Sequence, residues 1–208
     1  MAAGKPQDLP RLASQRFNES PIMKQILFVQ GAGEAVHDTW DDKLVRSLER
    51  ELGSAYSVIY PRMPHEADPR YSAWKAELLR AFENLEEGAI LVGHSVGGAI
   101  LIHVLAERRP RLRIGALALI AAPFIGDGGW PSEDIEPCLD LAERLPAGVP
   151  VFVYHGTADT IVPFSHAALY ANAIPQAVVR AMPDRDHQLG NDLGDVARDI
   201  RSLAVGDG

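Results

Sequence analysis

Ser95 sits in the string Gly93-His94-Ser95-Val96-Gly97-Gly98, directly after the apolar run Ala89-Ile90-Leu91-Val92 and ahead of an apolar helical segment. A serine hydroxyl is a weak nucleophile at neutral pH and needs a base to take its proton. A G-x-S-x-G string between a strand and a helix gives a sharp turn that lifts the hydroxyl above the strand end, with glycines where the two backbones crowd. The backbone N–H groups that follow lie at a helix N-terminus and suit a developing negative oxygen. The base and its orienting acid are expected at other strand ends. Asp159, in His155-Gly156-Thr157-Ala158-Asp159, and His187, just after Pro183, supply them in the order serine, acid, histidine. Together, Ser95, Asp159 and His187 could carry out acyl transfer, with serine attacking, histidine moving the proton and aspartate holding the imidazole.

Other residues compete for these roles. Asp184 and Asp186 flank His187, but a side chain next to the histidine in sequence points elsewhere. His94, inside the turn, is expected to point away from the active face and serve packing. His103, on the helix behind it, reads as a satisfied core or helix-surface histidine. His155 is expected to shape the turn that carries Asp159, and His37, His65 and His166 have no evident partner. The second oxyanion donor is expected from the loop Gln30-Gly31-Ala32-Gly33-Glu34, with the N–H of Ala32 paired to that of Val96 and Gly33 as the alternative. Gly31-Ala32-Gly33 also begins like a dinucleotide fingerprint. Val36 stands where its third glycine would be, and no acid follows Tyr60-Pro61, so nucleotide binding is not expected. There is no phosphate-loop motif and no histidine pair at metal-ligand spacing, and Cys138 is the only cysteine, so neither metal nor cofactor is expected.

Such side chains need a rigid support. Six short apolar runs, at 25–30, 56–60, 89–93, 115–122, 149–154 and 177–182, are rich in Val, Ile and Leu and closed by Gly or Pro. That pattern fits strands buried on both faces of a parallel sheet. Between them lie helix-period segments at about 39–52, 71–86, 96–109, 132–145, 164–173 and 192–203. Asp38 with Asp41 three residues later resembles a capping box for the first helix. The alternation predicts a three-layer α/β/α sandwich with about six parallel strands, and ligands of such sheets bind beyond the carboxyl ends of the strands.

The composition agrees. The chain has 208 residues, 47% hydrophobic and 23% charged, with 18 glycines, 15 prolines and a net charge of −8. Those proportions are ordinary for one globular domain and exclude collagen, coiled coil and a disordered tail. The negative charge disfavours nucleic acid and anionic membrane as partners. The arginines at 108, 109, 111 and 113 read as a solvated helix end. No run approaches the roughly 18 apolar residues of a membrane span. Residues 1–22 read as a polar, proline-containing flexible leader, and 23–208 as a single domain. With no hydrophobic signal core, a cytoplasmic location is the expectation. Oligomeric state is not legible.

Over residues 24–203 the chain resembles the α/β-hydrolase superfamily, and within it the small, lidless serine hydrolases of the retinoblastoma-binding-protein type. The likeness rests on the G-x-S-x-G string, Thr39-Trp40 after the first loop, Met63-Pro64 followed by Trp74, and Ile161-Val162-Pro163-Phe164-Ser165 after the acid. It implies a Ser95–Asp159–His187 triad, strand order 2-1-3-4-5-6 and no lid. Gln30 stands where a histidine often precedes the oxyanion-loop glycine, and Asp186 where a glycine often precedes the catalytic histidine. The expected activity is hydrolysis of an ester or related acyl bond in a small molecule. A binding protein on the same scaffold, or a triad-dependent acyltransferase or lyase, is the alternative. The segment 123–131 is too short for a helical lid. Phe124, Ile125 and Trp130 from it, with Trp40 and Val162 from neighbouring loops, are expected to wall a shallow apolar pocket, and short acyl esters are the expected preference.

Overall fold

A computed structural model describes residues 23–108 and 110–203. The expected leader, residues 1–22, and Arg109 of the arginine cluster lie outside the described residues. Six strands form one sheet: β1 (Lys24–Val29), β2 (Tyr56–Ile59), β3 (Ile90–His94), β4 (Ala116–Ile120), β5 (Val151–Gly156) and β6 (Val178–Met182). All neighbours are parallel and the order is β2-β1-β3-β4-β5-β6. The helices are α1 (Asp42–Leu52), α2 (Tyr71–Glu83), α3 (Ser95–Glu107), α4 (Leu141–Arg144), α5 (Ser165–Ala173) and α6 (Gly194–Leu203). The architecture is that of an α/β-hydrolase. Among the described residues no domain is inserted between the strands, and no helix is long and apolar enough to cross a membrane.

Strand alternation sorts the core into two layers. Ile26, Phe28, Ile90, Val92, Phe152 and Tyr154 turn to one face and meet Leu44, Leu48, Val196 and Ile200 of α1 and α6. Leu27, Val29, Leu91, Leu117, Val151 and Val153 turn to the other and meet α2, α3, α4 and α5. The central strands β3 and β4 are buried along their whole length. Helix α3 is buried at eleven positions and lies against both β3 and β4. The sheet edge at β6 differs, since four of its five residues are exposed or half-buried.

Two local expectations are corrected. The segment 132–145 is not one helix, and only Leu141–Arg144 is helical. Pro137 lacks an N–H and turns the preceding residue away from helical backbone, while the apolar spacing of Ile135, Leu141 and Leu145 is met by burying each from a loop or a single turn. Nor do Asp38 and Asp41 cap α1. Val36–Asp41 is a π-helical turn, one residue wider per hydrogen-bonded loop than an α-turn. It leaves Asp38 exposed, paired with Arg62, and swings Asp41 fully into the interior.

Candidate active site

The serine is held where β3 becomes α3. Ser95 has φ +50, in the left-handed region that side chains with a Cβ avoid, and it is the first residue of the helix. Two glycines make this turn possible. A Cβ on Gly93 would lie 2.5 Å from the Cα of Gly98, and one on Gly97 would lie 2.0 Å from the carbonyl oxygen of Gln30. The second contact shows how tightly α3 is pressed onto the loop after β1. In the same place a Cβ on Gly31 would come within 3.1 Å of the Cβ of Ser95.

Asp159 and His187 arrive from β5 and β6. His187 Nδ1 lies 2.8 Å from Asp159 Oδ2, with both side chains nearly or wholly buried. A carboxylate only accepts, so Nδ1 carries a proton and donates to it. Asp159 Oδ1 accepts the N–H groups of Ile161 at 2.8 Å and Val162 at 3.0 Å. His155 Nε2 lies 3.3 Å from Asp159 Oδ2 and 2.8 Å from the carbonyl of Val162, so it shapes the acid's turn as expected. Burial works against a charge on Asp159. Hydrogen bonds from His155 and His187, electrostatic attraction to the His187 ring and the Ile161 N–H outweigh it and hold the carboxyl well below the usual carboxylate range. The rival acids are engaged elsewhere. Asp186 Oδ1 accepts the N–H of Gly190, and Asp184 stands on the surface with its N–H on Thr157. The acid and base loops are packed as closely as the serine turn, for a Cβ on Gly156 would meet the carbonyl oxygen of Arg185 at 2.1 Å.

Ser95 and His187 share a cleft of about 520 Å³ with Gly31, Ala32, Val36, Trp40, His94, Val96, Trp130, Thr160, Ile161, Asp186 and Gln188. Ala32 and Val96, the expected oxyanion donors, both line this cleft with Ser95. The alternative donor, the N–H of Gly33, is taken by the carbonyl of Glu66 at 2.7 Å. Of the five expected wall residues, Trp40 and Trp130 line the cleft. The other three lie elsewhere. Phe124 packs edge-on against Tyr170 while its N–H donates to His166. Ile125 turns into a neighbouring depression, and Val162 is fully buried by its hydrogen bonds to Asp159 and His155. Lys43 sits over the Trp40 ring and steadies it at the rim.

Sequence reasoning missed the layer beneath these residues. His94 is not a packing residue. Its Nδ1 lies 2.9 Å from Asp41 Oδ2 and its Nε2 lies 3.1 Å from the carbonyl of His187. Burial opposes charge on both partners, but their mutual attraction and hydrogen bond prevail, lowering the Asp41 pKa and raising that of His94. Strand alternation offered a signal, since His94 shares the face of Ile90 and Val92, toward α1. Gln30 is also fully buried. Its Oε1 accepts the N–H of Met63 at 3.0 Å, and its Nε2 donates to Glu66 at 2.6 Å, bracing the loop after β1. His103 donates from Nδ1 to the carbonyl of Ala99, yet its Nε2 is buried without a hydrogen-bond partner among the described residues.

Comparison with known proteins bears on the fold and the family. The family model described as serine hydrolase matches residues 26–187. A curated relative from Arabidopsis thaliana, named "Putative methylesterase 14, chloroplastic", is 32% identical over 136 residues, which are 62% of this chain and 38% of that protein. The chain therefore spans well under half of that relative's length. Among solved structures, the product of the ydeN gene of B. subtilis superposes with a TM-score of 0.67 at 22% identity, covering 88% of this chain and 100% of that one. Est1E from Butyrivibrio proteoclasticus superposes with a TM-score of 0.66 at 14% identity, covering 91% of this chain and 90% of that one. At those identities the two structures speak to the fold alone. Fold, family match and the buried turn around Ser95 converge, and the chain belongs to the serine hydrolase family.

Proposed function

We propose that the protein hydrolyses carboxylic esters of small molecules through an acyl-enzyme on Ser95. The observation that carries this reading is the buried 2.8 Å contact between Asp159 and His187 beside a serine held at φ +50 in the same cleft. His187 takes the Ser95 proton through Nε2 as the hydroxyl attacks the carbonyl, then returns it to the departing alcohol. Asp159 fixes the tautomer and stabilises the imidazolium. The N–H groups of Ala32 and Val96 receive the oxyanion. Water then releases the acid by the same proton path in reverse.

The cleft wall made by Val36, Trp40, Val96, Trp130 and Ile161 is apolar, and the cleft holds about 520 Å³. Each acyl CH₂ it covers adds about 0.8 kcal/mol until the wall ends. This favours acyl chains of about two to six carbons, and the methylesterase name of the plant relative points to the same bond class. The test is labelling by a fluorophosphonate probe with peptide mapping, followed by p-nitrophenyl esters from acetate to palmitate. Label on Ser95, and its loss with activity in Ser95→Ala, is the expected result. The nucleophile loss costs on the order of 10⁶ in kcat where it has been measured in a serine protease. A Ser95→Ala protein that keeps turnover, or a rate peak at long chains, overturns the corresponding half of the proposal.

A further inference from the structure

Three loops that must act together converge on one buried carboxylate. Asp41 is fully buried at the end of the π-helical turn. Its Oδ2 accepts the N–H of Gly31 at 2.7 Å, in the loop that carries Ala32. The same oxygen faces Nδ1 of His94, the residue joined directly to Ser95, at 2.9 Å. Its Oδ1 accepts the Nε2 of Gln188, the residue after His187, at 3.2 Å. His94 then closes the circuit, with Nε2 3.1 Å from the carbonyl of His187. The rings of His94 and His187 lie 4.9 Å apart.

We propose that Asp41 and His94 form a positioning pair that keeps the oxyanion loop, the serine turn and the histidine loop in catalytic register. The inference rests on the triad reading of Ser95, Asp159 and His187. Neither residue is placed as a group that reacts with substrate. The geometry also fixes the proton count. Both partners of the His94 ring, a carboxylate and a carbonyl, can only accept, so both ring nitrogens donate and the ring is an imidazolium. The charged and titratable groups facing it are Asp41 from the turn before α1, His187 from the loop after β6 and, further off, Asp159 from the loop after β5. A cation is matched here by two buried carboxylates, and the pair joins segments 53 residues apart in sequence. Removing either partner leaves the other buried and uncompensated, and the three loops lose their common anchor.

The test is a double-mutant cycle with His94→Gln, Asp41→Asn and the double variant, assayed on p-nitrophenyl acetate well below each melting temperature. A misplacement of the reacting groups by about 1 Å costs on the order of 10²-fold, so each single variant is expected to lose about that much in kcat with little change in KM. The double variant is expected to lose no more than the worse single one, because the two residues act as a unit. Nitrogen-15 spectra of the unaltered protein at pH 7 are expected to show both His94 ring nitrogens protonated, a measurement independent of how the variants fold. A folded variant with kcat near wild type, a rise in KM at constant kcat, additive losses, or a neutral His94 ring each overturns the proposal. Ser95→Ala separates the two readings. If it keeps turnover the triad fails, whereas a dead Ser95→Ala beside fully active His94→Gln and Asp41→Asn removes only the positioning pair.

Discussion

Replacing Gly97 with alanine puts a single methyl group into the tightest contact of the site. Gly97 lies in α3, and its backbone is ordinary, so the penalty is steric rather than conformational. The new Cβ would sit 2.0 Å from the carbonyl oxygen of Gln30 and 2.9 Å from that of Val29, both backbone atoms that cannot rotate away. Ordinary contact between heavy atoms needs about 3.5 Å, so α3 and the loop after β1 must part by more than about 1 Å. Gln30 resists this, because its side chain is tied to Met63 and Glu66. Overpacking of this kind costs about 1–3 kcal/mol. In a chain of this size that is a fall in Tm of roughly 2–12 °C. The same displacement separates Ala32 from Val96, so kcat should fall by on the order of 10²-fold while the protein remains folded. The assay is p-nitrophenyl acetate hydrolysis beside thermal melting. Gly98→Ala is the graded control, since its nearest contacts are longer, Gly93 O at 2.8 Å and the Ala122 Cβ at 2.9 Å against 2.0 Å at Gly97, and it should lose less. A Gly97→Ala protein with wild-type Tm and kcat, or one less affected than Gly98→Ala, refutes the reasoning.

Asp159→Asn turns an amide toward His187 and favours the wrong tautomer, a loss of about 10⁴ in kcat by precedent, whereas Asp184→Asn and Asp186→Asn should lose far less. Steady-state kinetics on the three variants checks the ranking. Ser95→Gly should melt higher than Ser95→Ala, both inactive, because φ +50 costs a residue with a Cβ about 1 kcal/mol or more. The pH dependence of stability follows from the buried pair. The raised His94 pKa gives a contribution that is full below about 6.5, the unfolded value, and is lost as pH rises through the folded value. The lowered Asp41 pKa gives one that is present above about 3.9 and lost as pH falls through its folded value. The Tm gap between wild type and His94→Gln should therefore be widest in mildly acidic buffer and shrink toward alkaline pH. A gap that widens with pH contradicts the assigned charge.

The strands were legible because each is a short apolar run ended by Gly or Pro, and all six lie within two residues of their expected ends. The serine turn was legible for the same reason, with Gly93 and Gly97 marking backbone contacts that no other residue allows. That Asp159 and His187 meet was legible because strand ends in a parallel sheet are few. Asp41 was hidden by the π-helical turn. One extra residue per loop shifts its side chain from the outer face to the inner one, and a 3.6-residue period does not register that. Its partner His94 lies 53 residues away, so no local pattern joins them. The wall residues were half legible. Trp40 and Trp130 reach the cleft, but Phe124 is drawn off by Tyr170 and Val162 by its hydrogen bonds to Asp159 and His155.

His187 hangs from an edge strand. β6 pairs only with β5, and its residues are the least covered of the sheet, while the serine rides on β3 at the buried centre. Opening free energies in a folded chain range from near zero at frayed edges to the global value in the core, so β6 and its loop belong to a lower-energy opening unit than β3. The ties that hold this unit shut include Arg180 to Asp199, Arg185 to Asp192 and to the carbonyl of Leu189, the pressed contact at Gly156, the contact of His94 with the His187 carbonyl, and the link from Gln188 to Asp41. When they part, His187 leaves Asp159 while the rest of the sheet stays hydrogen-bonded. Thermal or urea treatment is then expected to open this edge before global unfolding. Amide exchange at Arg180 and Met182 is expected to report the parting of His187 from Asp159 sooner than any probe of the core.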